Sequence, residues 1–155
     1  MSAAWRAMVA ADLPGVLALA DRLHPHHPES MAVFAERLAL APDGCRVLAS
    51  GGALLGYAVA HPWTGLAPPP LDALLGALPA RPGAWHIHDV ALLPAARGAG
   101  HVAALLAAPL PRLTLVAVDG TGGYWARHGF ADAPCSDAAA LASYGEGARF
   151  MARAT

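Results

Sequence analysis

Lysine is missing from this 155-residue chain: all ten basic residues are arginine. That absence excludes Schiff-base catalysis and pyridoxal-phosphate anchoring, both of which need an ε-amine. Charge of either sign is scarce, with charged residues at 14% and a formal net charge of −1. No run of basic residues supplies the footprint that a nucleic-acid backbone requires, so nucleic acid is not an expected partner. Cysteine is equally sparse. Cys45 and Cys135 stand far apart, without CxxC or paired Cys/His spacing, and read as free thiols. A long hydrophobic run is also lacking: Val47 to Leu71 is broken by Gly, His and a Pro triplet, and Gly98 to Pro111 is short and proline-broken. MSAAWRAMVA meets Asp12 and Pro14 before any continuous apolar region, unlike a secretory signal. The expectation is a cytoplasmic protein without membrane contact.

What is present suits one domain over 1–155. A chain of this length buries roughly 68–70% of its unfolded surface and needs no staples. Hydrophobic residues reach 56%, although roughly a quarter of the chain is Ala, which lowers the share of large core side chains.

The pattern predicts a strand over Trp5–Ala10, then a helix from Leu13–Pro14 capped by Asp12, with Val16, Leu17, Leu19, Ala20 and Leu23 inward. That helix stops at His24-Pro25, in a loop that gathers His24, His26, His27 and Glu29. A second helix over Met31–Leu40 places Val33, Phe34 and Leu38 inward and Glu36 and Arg37 outward. After a Pro42-Asp43-Gly44 turn, Cys45–Ser50 and Leu54–His61 read as a hairpin around Gly51-Gly52. Thr64 to Gly83 is a Pro-rich insertion or lid with a short helix at Leu71–Leu78. A helix over Gly100–Ala108 ends at Pro109, and Arg112–Val118 is a strand buried on both faces. A last strand lies near Ala148–Arg153.

The rest is organised around Trp85 to Ala104: an apolar strand bearing two His and one Asp, a Pro stop, a Gly-rich turn opening with Arg97, and a helix. A strand that turns through Arg-Gly-Ala-Gly into a helix builds an anion site, because glycines admit close backbone approach and the first helical amides point outward. Arg97 adds a fork suited to phosphate oxygens. The spacing matches neither GxGxxG nor a P-loop.

Arg97-Gly98-Ala99-Gly100-His101-Val102 resembles motif A of the GNAT superfamily of N-acetyltransferases, which grips the acetyl-CoA pyrophosphate. Tyr124-Trp125-Ala126-Arg127-His128-Gly129-Phe130 is similar to that family's motif B. The resemblance covers nearly the whole chain and implies an α/β fold: a mixed central sheet flanked by helices, in which the strand at Trp85–Leu93 splays from the one at Arg112–Val118. It implies acetyl-CoA as cosubstrate on residues 97–102, with the pantetheine arm along Ala91, Leu92 and Leu93, the Leu92 amide as oxyanion donor, and Trp125 nearby.

Acetyl transfer needs an uncharged amine, a base and donors for the oxyanion. His86 and His88 alternate onto one strand face, and imidazole titrates nearest neutral pH. Their placement resembles the His pair of arylalkylamine N-acetyltransferases, which implies that His88, with His86 second, draws the amine proton through water. Asp89, on the opposite face, is a further candidate base. Trp125 stands where the family usually has its acidic Tyr, and indole cannot protonate a thiolate. That leaves Tyr144, Tyr124 or solvent as acid, with Tyr124 also readable as core. His27, Glu29, Trp63 and Trp85, together with His24 and His26, are candidates for the acceptor pocket, suiting a cationic or aromatic amine. The clustered His do not have metal-ligand spacing, so no metal is expected.

These features describe an enzyme that acetylates a primary amine, foremost a small molecule, by direct attack. Val102 in place of a small residue, Trp125, and the short Asp119–Gly123 loop without the usual Asn keep open a non-catalytic acyl-CoA-binding module. Pairing of exposed sheet edges into a homodimer stays open as well.

Overall fold

The computed structural model describes residues 2–107 and 112–154. Among the described residues seven strands form one sheet: β1 (Ala4–Ala7), β2 (Cys45–Ser50), β3 (Ala53–Trp63), β4 (Ala84–Leu92), β5 (Arg112–Ala117), β6 (Ala131–Asp132) and β7 (Arg149–Ala154). The order across the sheet is β1-β2-β3-β4-β5-β7-β6. β4 and β5 run parallel, whereas β1/β2, β2/β3, β5/β7 and β6/β7 are antiparallel, so the sheet is mixed.

The chain divides into two compact units, 2–61 with 89–107 and 62–88 with 112–154. The first holds helices α1 (Leu13–Leu23), α2 (Met31–Leu40) and α3 (His101–Leu105). Its core gathers Val16, Leu19 and Ala20 from α1, Phe34 from α2, Val47, Tyr57 and Val59 from the hairpin, and Ala91 from β4. The apolar spacing expected of α1 is therefore the face it buries, and Leu17 and Leu23 pack at its margin.

Two details correct the sequence expectation. The Asp12 carboxylate does not cap α1; it accepts from the Val9 amide at 2.9 Å and pairs with both Arg6 terminal nitrogens at 2.8 and 2.9 Å. The tight 3-10 turn at Ala10–Asp12 presents the side chain backwards to Val9 instead. Arg37, expected outside, is wholly buried. It lies four residues after Val33 and three after Phe34, hence on their helical face, and its Nη1 donates to Glu36 Oε1 at 3.0 Å.

In the second unit, β5 and β7 bury Leu113, Leu115, Phe150 and Met151, joined by Phe130, Ala140 and Tyr144. Helices α4 (Gly122–Ala126) and α5 (Ala138–Ala142) belong here. The helix expected at Leu71–Leu78 does not form. Asp72 and Gly76 both take positive φ, at 58° and 76°, which no right-handed helix tolerates. The segment is held instead through the Leu71 amide to Ser143 Oγ at 2.9 Å, the Ser136 amide to the Leu66 carbonyl at 3.0 Å, and the Tyr144 hydroxyl to the Pro69 carbonyl at 2.6 Å. The helix expected over Gly100–Ala108 is shorter, α3 ending at Leu105 with 106–107 in a turn, and Ala108 and Pro109 lie outside the described residues.

Candidate active site

Strand β4 positions the residues of interest, and its pairing with β5 is short. Among the described residues Trp85–Leu113, His86–Thr114 and Ile87–Leu115 are in register, although β4 continues to Leu92 and β5 to Ala117. The strands stop pairing at Ile87, which is the splay anticipated from sequence. The other edge of β4 stays engaged: the Leu93 amide donates to the Leu55 carbonyl at 2.8 Å. The Leu93 amide is therefore engaged with β3, within the Ala91–Leu93 stretch expected to run along the pantetheine arm. By strand alternation the Leu92 amide points to the opposite edge.

After Leu93 the chain makes a 3-10 turn at Pro94–Ala96 and enters the Gly-rich turn. Gly98 and Gly100 both have φ of 80°. Glycine is needed there for conformation rather than space, since a Cβ at either would meet nothing within 4 Å. Ala99 is exposed like its flanking glycines. Arg97 Nε donates to the Leu92 carbonyl at 3.1 Å, fixing the guanidinium plane while the residue stays exposed. His101 opens α3 and is half-buried; its carbonyl accepts from Trp5 Nε1 at 2.8 Å, a tie from β1 that no sequence pattern signals. Val102 is buried, so its extra bulk is absorbed by the core of this unit. An open positive-φ turn with an anchored Arg fork fits a pyrophosphate.

The β4 histidines differ in surroundings. His86 is buried, with Nδ1 2.9 Å from Thr114 Oγ1 on β5. His88 is half-buried, and its ring lies 6.4 Å from that of His86.

In the first unit, Asp89 belongs to a three-residue array. Its Oδ2 accepts from the Tyr57 hydroxyl at 2.5 Å, and its Oδ1 lies 3.0 Å from His24 Nε2. Tyr57 is wholly buried, edge-on to Phe34 at 5.9 Å. Burial pushes its hydroxyl pKa far up, and the Asp89 charge and hydrogen bond add to the shift, followed by the charges of Glu29 and Asp21. The phenol is therefore a permanent donor. Tyr57 escaped the sequence reading because a Tyr in an apolar strand reads as core; the signal was only that a buried hydroxyl needs a partner.

The remaining candidates are placed as follows. His27 and Glu29 are half-buried in the first unit, Trp63 and Trp85 half-buried in the second. Tyr124 is 37% exposed, a correction to its reading as core. Its ring stacks edge-on with Trp125 at 5.1 Å and His128 at 5.0 Å, with Arg127 over its face at 5.8 Å. Trp125 packs on Phe130 at 5.7 Å. Tyr144 is buried with its hydroxyl donated to Pro69. Among the described residues no group of three or more His, Cys, Asp or Glu is arranged to hold a metal, and no helix is long and apolar enough to cross a membrane.

A mixed sheet whose central parallel pair splays, followed by an arginine and glycine turn, defines an α/β acyl-CoA-binding acetyltransferase fold. The chain belongs to the Acetyltransferase (GNAT) family, whose profile matches residues 13–112. Among curated proteins none matches the sequence. Among solved structures, the GphF GNAT-like decarboxylase in complex with isobutyryl-CoA is similar, with a TM-score of 0.77 at 21% identity over 97% of this chain and 98% of that one. Ard1 from Thermoplasma volcanium gives 0.72 at 15% identity over 100% and 99%. Naa50 from Arabidopsis thaliana, in complex with the bisubstrate analogue CoA-Ac-MVNAL, gives 0.67 at 13% over 100% of both.

Proposed function

We propose that this protein transfers the acetyl group of acetyl-CoA to a primary amine, foremost a small molecule, by direct attack of the amine on the thioester. The observation that carries the reading is the Arg97–Val102 turn placed directly after a strand that stops pairing with its parallel neighbour at Ile87. In this reading Arg97 and the amides of 98–102 receive the pyrophosphate, and the Leu92 amide stabilises the developing oxyanion. His88 draws a proton from the attacking nitrogen through water, as the His pair of arylalkylamine N-acetyltransferases would suggest. His86, tied to Thr114, is better suited to holding the strand. With the Tyr144 hydroxyl donated to Pro69, the exposed Tyr124 or solvent is the acid that the leaving thiolate needs.

The test is thiol release from acetyl-CoA across a panel of primary amines, with products identified by mass. Acetylated amine is expected, and His88→Ala, folded as judged by circular dichroism, should lose about a hundredfold in kcat. Loss of carbon dioxide from a malonyl-type CoA without transfer to any amine would instead align the chain with the decarboxylase it resembles in fold. Acetyl-CoA binding with no turnover on any substrate would favour a binding module, the reading that Trp125 and the short Asp119–Gly123 loop support.

A further inference from the structure

Amide formation from an amine in neutral water removes two protons from nitrogen. The substrate arrives as an ammonium ion and must lose one proton before it can attack. The N–C bond then forms, the C–S bond breaks, and a second proton leaves nitrogen while the thiolate takes one from solvent. One base on β4 accounts for the second of these transfers. A second acceptor with its own route to bulk water would take the first without waiting for that base to reset.

Tyr57, Asp89 and His24 have the form of such an acceptor. They come from β3, β4 and the residue that ends α1, and all lie in one compact unit. Accessibility rises along the array: Tyr57 is wholly buried, the Asp89 side chain is 14% exposed and the His24 side chain 26%. The buried end holds a phenol that keeps its proton, the middle a carboxylate that accepts from it at 2.5 Å, and the outer end an imidazole 3.0 Å away. A carboxylate against one ring nitrogen orients the imidazole and stabilises the imidazolium it becomes. His24 also follows the last turn of an eleven-residue helix, where the helix dipole favours positive charge. Asp21 of α1 and Glu29 of the following loop also act on Tyr57, and their negative charge is of the sign that favours a cation nearby.

Resting on the acetyltransferase reading above, we infer that His24, its buried Nε2 set against Asp89 and that carboxylate held in turn by Tyr57, takes the first proton from a cationic acceptor amine at Nδ1 and releases it to solvent. His24 is the proton acceptor; Asp89 and Tyr57 are positioning residues. The acceptor class that follows is an aliphatic amine basic enough to arrive charged.

The experiment measures kcat/KM from pH 6 to 9.5 on the full chain, with phenethylamine and its less basic β,β-difluoro analogue as probes within the amine panel. His24→Ala should lower kcat/KM for phenethylamine about a hundredfold at pH 7, with the loss shrinking as pH rises and the free amine supplies itself. For the difluoro analogue, much of it already uncharged, the loss should stay within about threefold; a structural role for His24 would depress both alike. Asp89→Asn should move the acid limb of the profile to lower pH, because the imidazolium loses its counter-charge. Tyr57→Phe should move it to higher pH, because the carboxylate pulls harder once its donor is gone. His24→Gln repeats the test in a more conservative variant, and an unchanged thermal shift with acetyl-CoA certifies the fold of each. Equal losses on both amines, or a wild-type profile in His24→Ala and His24→Gln, overturn the inference. Failure of the acetyltransferase reading is seen separately, in wild-type protein that binds acetyl-CoA and acetylates no amine, and the inference falls with it.

Discussion

Single residues carry consequences that the sequence hides. Cys45, the first residue of β2, is buried, and that burial pushes its thiol up to about 11, against smaller lowering effects from the Ala60 backbone and the Arg37 charge. The thiol therefore stays protonated and inert at neutral pH. Brief alkylation of native protein at pH 8 should modify the half-buried Cys135 and leave Cys45 intact, as peptide mass mapping would report. The same shift has a sign for stability. Because the folded value lies above the unfolded 9.0, the unfolded chain releases its proton first. Stability is whole below pH 9 and falls as pH rises toward 11, by about 2–3 kcal/mol for a shift of this size. Cys45→Ser in urea titrations between pH 8 and 10.5 should show a shallower decline than wild type. Legibility at this scale was uneven. Arg37 was misread because its charge outweighed its helical position, although spacing from Val33 and Phe34 already put it inside. The partnership of Tyr57 with Asp89 spans 32 positions and two strands, so no local pattern could reveal it.

Elements were more legible than residues. The span expected for α2 coincides with Met31–Leu40, because its apolar period is clean and a proline turn follows. The 71–78 segment failed for the opposite reason: its Leu and Ala residues favour helix, while Asp72 and Gly76 impose backbone angles that only the folded chain displays. Two strands of the first unit approach closely at Gly56 of β3. A Cβ there would stand 2.6 Å from the Ala91 carbonyl oxygen and 2.5 Å from Leu92 Cδ2. Backbone cannot yield as a flexible side chain does, so β3 must shift away from the stretch of β4 that leads into the Arg97 turn. Gly56→Ala should cost about 1–3 kcal/mol or more as overpacking, and it should weaken acetyl-CoA binding in parallel. Differential scanning fluorimetry with and without acetyl-CoA reads both effects. A variant with wild-type stability would mean that the two strands tolerate separation.

At the scale of the whole molecule, the order of motifs was legible before any pairing was known, because a Pro stop, an Arg-Gly-Ala-Gly turn and a helix follow one another locally. What sequence could not supply was how far β4 stays zipped to β5, since the end of a parallel ladder depends on contacts between strands distant in the chain. The functional reading depends on both features, the turn and the shortened ladder, receiving acetyl-CoA. A ligand that binds only the folded state stabilises it by about 2.7 kcal/mol at a hundred times Kd. For a domain of about this size that raises Tm by roughly 5–10 °C. Arg97→Ala should abolish most of the increase while leaving the Tm of the free protein nearly unchanged, because Arg97 is exposed and held through its Nε to the Leu92 carbonyl. An equal shift in wild type and Arg97→Ala would place the pyrophosphate elsewhere. No shift at millimolar acetyl-CoA would reduce the turn to a structural connection, and the proton acceptors gathered on β3, β4 and the end of α1 would then have no thioester to serve.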